Sequence, residues 1–167
     1  MPLTLEKKVD LLWDKLAITE LMLSFGRALD LHDWELYKST LSDPLIVDFS
    51  RLTGREPVET SAADWTEFAD AVLNPLTVHH QYTNNAIKVD GDRASGVIYM
   101  VARHMHPESG QWNTQYGWYE NEFVRADGDF GWKISLLKHD FQWLAGVHDL
   151  IDLNNERSQQ AIKNVFG

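Results

Sequence analysis

The sequence predicts an α+β domain in which N-terminal helices are wrapped by a long, curved antiparallel sheet, leaving a cone-shaped pocket between them. Two observations carry that prediction. Through the first seventy residues apolar side chains recur at helical spacing, with capping residues where new runs begin. From His79 onward the recurrence changes to the alternation of strands, broken by short turns rich in Gly and Asp. Helices segregated from an antiparallel sheet define the α+β class, and a sheet curling round helices is a natural place for a ligand pocket.

The elements follow in order. In LEKKVDLLWDKLAITELMLSFGRALDLHDW, Val9, Leu12, Trp13 and Leu16 fall at i, i+3, i+4 and i+7, the spacing of one helical face. Leu21, Leu23, Phe25, Ala28 and Leu29 continue a broader apolar surface, with a bend expected near Ala17–Glu20. Asp33 is a good N-cap for a short helix from Trp34 to Leu41, and DPLIVDFS reads as a short strand. Ser61 caps the amphipathic AADWTEFADAVL, which Asn74-Pro75 stops. Four long strands then run as a meander: HHQYTNNAIKVDG, RASGVIYMVARHMH, QWNTQYGWYENEFVRA and WKISLLKHDFQWLAG.

At 167 residues the chain has room for one domain with a sizeable core, and no repeat or linker divides it. Fifteen basic against 25 acidic residues give a formal charge of −10, a field that disfavours nucleic acid and anionic membrane surfaces as partners. The absence of cysteine excludes disulfides, thiolate metal sites and cysteine nucleophiles. MPLTLEKKVD carries charges where a signal peptide needs an apolar core, so a cytoplasmic location is expected.

Three ionisable groups suggest chemistry. Asp30 ends an otherwise apolar helical run. One of the adjacent pair His79/His80 must face inward, because side chains alternate along a strand. His104 alternates with Ile98, Met100 and Ala102, so it shares their inward face. A lone inward histidine is more often a satisfied core residue, but two on neighbouring strands with a carboxylate supply a base, its orienting group and an acid. Metal ligation by His80, His104 and His106 is the rival reading, weakened by Pro107, which puts His106 at the rim. His139 and His148 have no useful spacing with these.

ALDLHDW, IVDFS, VHHQYTN before a DGDRA turn, and WYENEFVRADGDFGWKISLLKHDFQW together resemble the SnoaL-like branch of the nuclear transport factor 2-like superfamily, and within it the scytalone dehydratases. The resemblance runs from about Leu21 to Trp143 and implies a single domain over residues 1–167, with about 147–167 covering the pocket. It places the catalytic residues on Asp30, His80 and His104, so that His80 points in and His79 out. Parity conflicts, since Ile87 and Val89 share His79's face unless a bulge intervenes. Leu29 and Phe49 stand where those dehydratases have two tyrosines that hold a water against the substrate carbonyl, and their pocket asparagine falls on Tyr119 or Asn121. Tyr82 or Tyr119 is therefore expected to polarise the carbonyl, with Met100 as a further substrate contact.

The implied activity is a cofactor-independent, metal-free acid–base lyase, a dehydratase of a small hydrophobic cyclic hydroxyketone or polyketide-like compound. His80 would take the proton α to the carbonyl and His104 would protonate the departing hydroxyl. An isomerase, a polyketide cyclase and a non-catalytic binding protein of the same fold are the alternatives. The family also implies a homodimer or homotrimer paired through the open sheet face, where Trp112, Trp118 and Trp132 were available for contact.

Overall fold

One long helix organises the molecule, α1 (Leu5–Leu31), in a computed structural model that describes residues 2–167. Thr4 caps it, accepting from Lys7 N–H at 3.3 Å, and His32 ends it in the left-handed conformation (φ 54°). It runs without the expected bend. At about 1.5 Å per residue it is ~40 Å long, and its buried side chains begin at Ile18, in the middle of the helix. Ile18, Leu21, Met22, Phe25, Ala28 and Leu29 are buried, whereas Val9, Leu12, Trp13 and Leu16 are each more than half exposed. The most regular apolar stripe is therefore exposed.

Helix α2 (Trp34–Ser39) starts at the expected cap, Asp33, which accepts from Leu36 N–H at 3.0 Å. It stops short of Leu41, because that residue opens strand β1 (Leu41–Asp48). A single turn α3 (Ser50–Thr53) and strand β2 (Val58–Thr60) lead to α4 (Ala62–Leu73), where Ser61 accepts from Asp64 N–H at 2.9 Å. The long meander is as expected: β3 (Thr77–Asp90), β4 (Arg93–Met105), β5 (Trp112–Arg125) and β6 (Trp132–Gly146). A C-terminal helix α5 (Glu156–Phe166), capped by Asn155, was not resolved as an element from sequence. Its Arg157 pairs with Glu67 (2.9 Å) and Asp70 (2.6 Å) of α4.

The six strands form one curved, unclosed sheet in the order β2-β1-β6-β5-β4-β3, antiparallel except for β1 against β6. Two bulges decide which side chains face the helices. In β3 the register shifts between Thr83 and Ala86, with Asn84 at φ 55°. Before it Val78, His80 and Tyr82 face inward; after it Ile87 and Val89 do, so the parity conflict disappears. In β6, Phe123 pairs with Ile134 while Glu122 pairs with Leu136, an extra residue that turns Leu137 and His139 inward after Trp132 and Ile134.

Trp132 is consequently not on the open face. It is buried, and its indole N–H donates to Asp14 Oδ1 at 3.1 Å. Among the described residues no helix is long and apolar enough to cross a membrane.

Gly26 is where α1 and the sheet come closest, since the Tyr82 ring occupies the space a β-carbon would need. Helix propensity alone favours Gly→Ala by about 1 kcal/mol. Here Gly26→Ala should instead lower the thermal midpoint, because the Tyr82 ring must move. A melt showing a stabilised variant would contradict that close packing.

Candidate active site

The site begins where α1 ends. Asp30 directly follows the buried Ala28 and Leu29, and its carboxylate emerges beside the start of β3. It accepts the backbone N–H of His80 (2.9 and 3.1 Å to its two oxygens) and contacts His80 Nδ1 at 2.8 Å. A carboxylate can only accept, so Nδ1 carries the hydrogen and Nε2 of the neutral ring keeps its lone pair. His80 side-chain exposure is 5% against 67% for His79, which settles which of the pair points in. His79 leans on the outer side of the same carboxylate, with Nδ1 at 3.4 Å.

His104 faces His80 from β4, with ring centroids 6.1 Å apart in an edge-on arrangement. Its Nδ1 lies 2.9 Å from Asn113 Oδ1, while the Asn113 amide donates to the Val147 carbonyl at 3.1 Å. That second bond fixes the amide so that its oxygen must accept from His104. Burial pushes His104 down to about 4, against partial compensation by the Asn113 bond. At neutral pH it is an uncharged ring with its hydrogen committed to Asn113 and Nε2 bare. The role of proton donor expected for it does not fit this state; it can accept from a hydroxyl instead.

These rings line a cavity of about 550 Å³ between the sheet and the helices. Leu29, Phe49, Met100 and Tyr119 are in its wall, while Asp30 stands behind His80. Tyr82 and Asn121, expected as substrate contacts, do not line it. Tyr82 is packed against Gly26 and Phe25, and Asn121 holds the β6 bulge by accepting from Lys138 N–H at 3.2 Å. Burial raises the Tyr119 phenol further above its ordinary value, so it remains a neutral hydroxyl. His148, Asp149, Ile151 and Leu153, with Ile162 and Phe166 of α5, complete the wall. His106 accepts from Ser109 N–H at 3.4 Å in the following turn and is not part of the wall.

His139 and His148, set aside in the sequence reading, both line the cavity. His139 is buried and lies against Phe49 and Tyr119, at centroid distances of 5.1 and 5.3 Å. Counting alternate residues from Trp132 puts it outside, and only the β6 bulge brings it in. Burial, with His80 nearby, pushes it down to about 4.

An N-terminal helix under a curved six-stranded sheet, with an Asp–His pair at the cavity between them, defines an α+β fold. The chain belongs to the SnoaL-like domain family, whose model matches residues 10–138. No curated protein matches it. Among solved structures it is similar to a protein of Novosphingobium aromaticivorans provisionally described as an aromatic ring hydroxylase, at 28% identity over 81% of this chain and 94% of that one (TM-score 0.71). A protein of the same organism provisionally described as a scytalone dehydratase shares the fold at 17% identity, over 79% and 86% of the chains (TM-score 0.68). So does the hexachlorocyclohexane dehydrochlorinase LinA-type3 of Novosphingobium barchaimii, at 19% identity over 89% and 99% (TM-score 0.68).

The buried neutral histidines have a consequence for stability. A histidine whose basicity is depressed in the folded state favours unfolding as pH falls below the unfolded value of about 6.5 toward about 4. Thermal midpoints should therefore decline through this window, and His139→Phe should make the decline shallower. An unchanged slope in that variant would show that His139 is not held neutral.

Proposed function

We propose that this protein is an acid–base lyase that eliminates water from a small, hydrophobic cyclic hydroxyketone. The observation that carries the reading is His80, which lines a largely apolar cavity and is held from behind by Asp30 at 2.8 Å. His80 Nε2 takes the proton α to the carbonyl, and the imidazolium formed is held by the Asp30 carboxylate. Tyr119, which lines the cavity together with Tyr37, donates to the developing enolate oxygen. His104 Nε2 accepts from the β-hydroxyl and orients it. The proton on His80 then passes to that hydroxyl as the C–O bond breaks, giving water and a conjugated C=C. One C–H and one C–O bond are broken, and His80 returns to its neutral state.

The scytalone dehydratase and dehydrochlorinase similarities support elimination, each at an identity that speaks for the fold alone. Isomerisation shares the first step and differs in returning the proton to carbon. A pocket that binds such ketones without consuming them is the non-catalytic alternative.

Offered cyclic β-hydroxyketones, the wild type should release the dehydrated enone, detectable by its ultraviolet absorbance. His80→Ala should reduce turnover about 10²–10⁴-fold. Asp30→Asn should lose much of that factor, and the double variant should be little worse than His80→Ala, since the two act as one unit. Binding without product, with the variants altered only in affinity, would remove the catalytic assignment and leave the family assignment untouched.

We propose further that the protein assembles as a dimer or trimer. Tyr99, Met105, Trp112 and Trp143 are exposed on the strands of the sheet, and the Val9–Leu16 face of α1 is equally uncovered. Contiguous apolar surface of this kind is rarely left in water. Light scattering at micromolar concentration should return two or three chain masses; a monomer would refute the assembly.

A further inference from the structure

We propose that His139 is a substrate-binding residue, donating a hydrogen bond to the carbonyl oxygen of a neutral cyclic ketone beside Tyr119. The inference deepens the lyase reading and rests on it for the substrate class.

The three cavity histidines differ in what the protein gives them. His80 Nδ1 has Asp30 and His104 Nδ1 has Asn113. His139 has nothing: among the described residues neither ring nitrogen has a hydrogen-bond partner, although the residue is only 2% exposed. Buried polar groups are ordinarily paired, and an unpaired one lowers stability, so a site that keeps both nitrogens unpaired calls for an explanation. The ring is not filling space that only imidazole fits. Its neighbours are Phe49, Tyr119 and Phe141, among which phenylalanine would pack without leaving polar atoms stranded. What imidazole adds is a donor and an acceptor on the cavity wall.

Geometry says what that donor meets. His139 and Tyr119 are a directly opposed cross-strand pair on β6 and β5, so both project from the same face into the cone. His80 stands two strands away, across the curve of the sheet. A ring-sized ligand between them can place its α-carbon at His80 and its carbonyl oxygen between the Tyr119 hydroxyl and the His139 N–H. Because burial leaves the imidazole uncharged at neutral pH, it suits a neutral oxygen better than a carboxylate or phosphate.

The test compares 1-indanone with indane, which differ by the carbonyl, using tryptophan fluorescence, since Trp65 lines the cavity. The wild type should bind the ketone about tenfold more tightly than the hydrocarbon, the worth of one good hydrogen bond. His139→Phe should bring the two affinities to within about twofold while binding indane as before, and its thermal midpoint at pH 7 should be equal or higher. His139→Gln, which keeps an N–H, should retain part of the preference and stands in should the Phe variant fold poorly. A tenfold preference surviving in both variants, no preference in the wild type, or a lowered midpoint in His139→Phe would overturn the assignment. The binding measurement needs no turnover, so an absence of dehydration with the preference intact would fault the lyase reading alone.

Discussion

The Asp30 carboxylate binds two parts of the molecule that must stay in register for any site to exist. One of its oxygens takes both the backbone N–H and the ring N–H of His80, and the other takes the backbone N–H again. The C-terminal end of α1 is thereby fixed against the first residues of β3, and the same contact selects the His80 tautomer. Charge-assisted bonds of this kind are roughly twice as strong as neutral ones. Helix position, strand position and the free lone pair on Nε2 are therefore coupled. A shift of α1 along the sheet would disorder the cavity and the base together. Gly26, one turn earlier, allows the approach that makes the contact possible.

Much of this was legible in the chain, and the failures share a cause. All four long strands and the capped helices α2 and α4 lie where alternation, turns and caps indicate. The inward series Ile98, Met100, Ala102 and His104 is buried throughout, because β4 pairs with β5 without interruption and the bulge opposite Ile98 puts its extra residue in β3, not β4. Strands β3 and β6 each carry a bulge, and a single inserted residue moves every later side chain to the other face. Asn84 offers a local signal, since asparagine tolerates positive φ. The sequence around Ser135 offers none, and His139 was missed for that reason.

Helix α1 shows a different limit. Its most regular apolar stripe, Val9 to Leu16, is the exposed part, and the less regular segment after Ile18 is the core. Periodicity reports that a face is apolar, not what covers it. The irregularity of the buried half has its own explanation in the curved sheet, which contacts more than one face of the helix: Leu21, Met22, Phe25 and Ala28 span a wide arc, while Leu23 and Leu31 are turned out. A strict stripe suits a flat partner, and its exposure here belongs with the proposal that further copies of the chain supply one.

Under the proposed reaction, electrostatics divides the work among the three cavity histidines. In an apolar cone a positive charge is tolerated only where a negative one is in contact with it. His80 alone has such a partner; Asn113 offers His104 a neutral oxygen, and His139 has only aromatic rings around it. A proton taken from a ligand must therefore rest on His80 and leave from it. The other two rings act while neutral, His104 through a bare Nε2 that can only accept and His139 through an N–H that no protein group claims. In the proposed lyase, acceptor, donor and base on three different strands would give a ligand one orientation in which its hydroxyl, its carbonyl and its acidic C–H are all matched. Exchanging any two of these groups would leave a buried polar atom unpaired, and that penalty is the physical basis on which this cavity would choose its substrate.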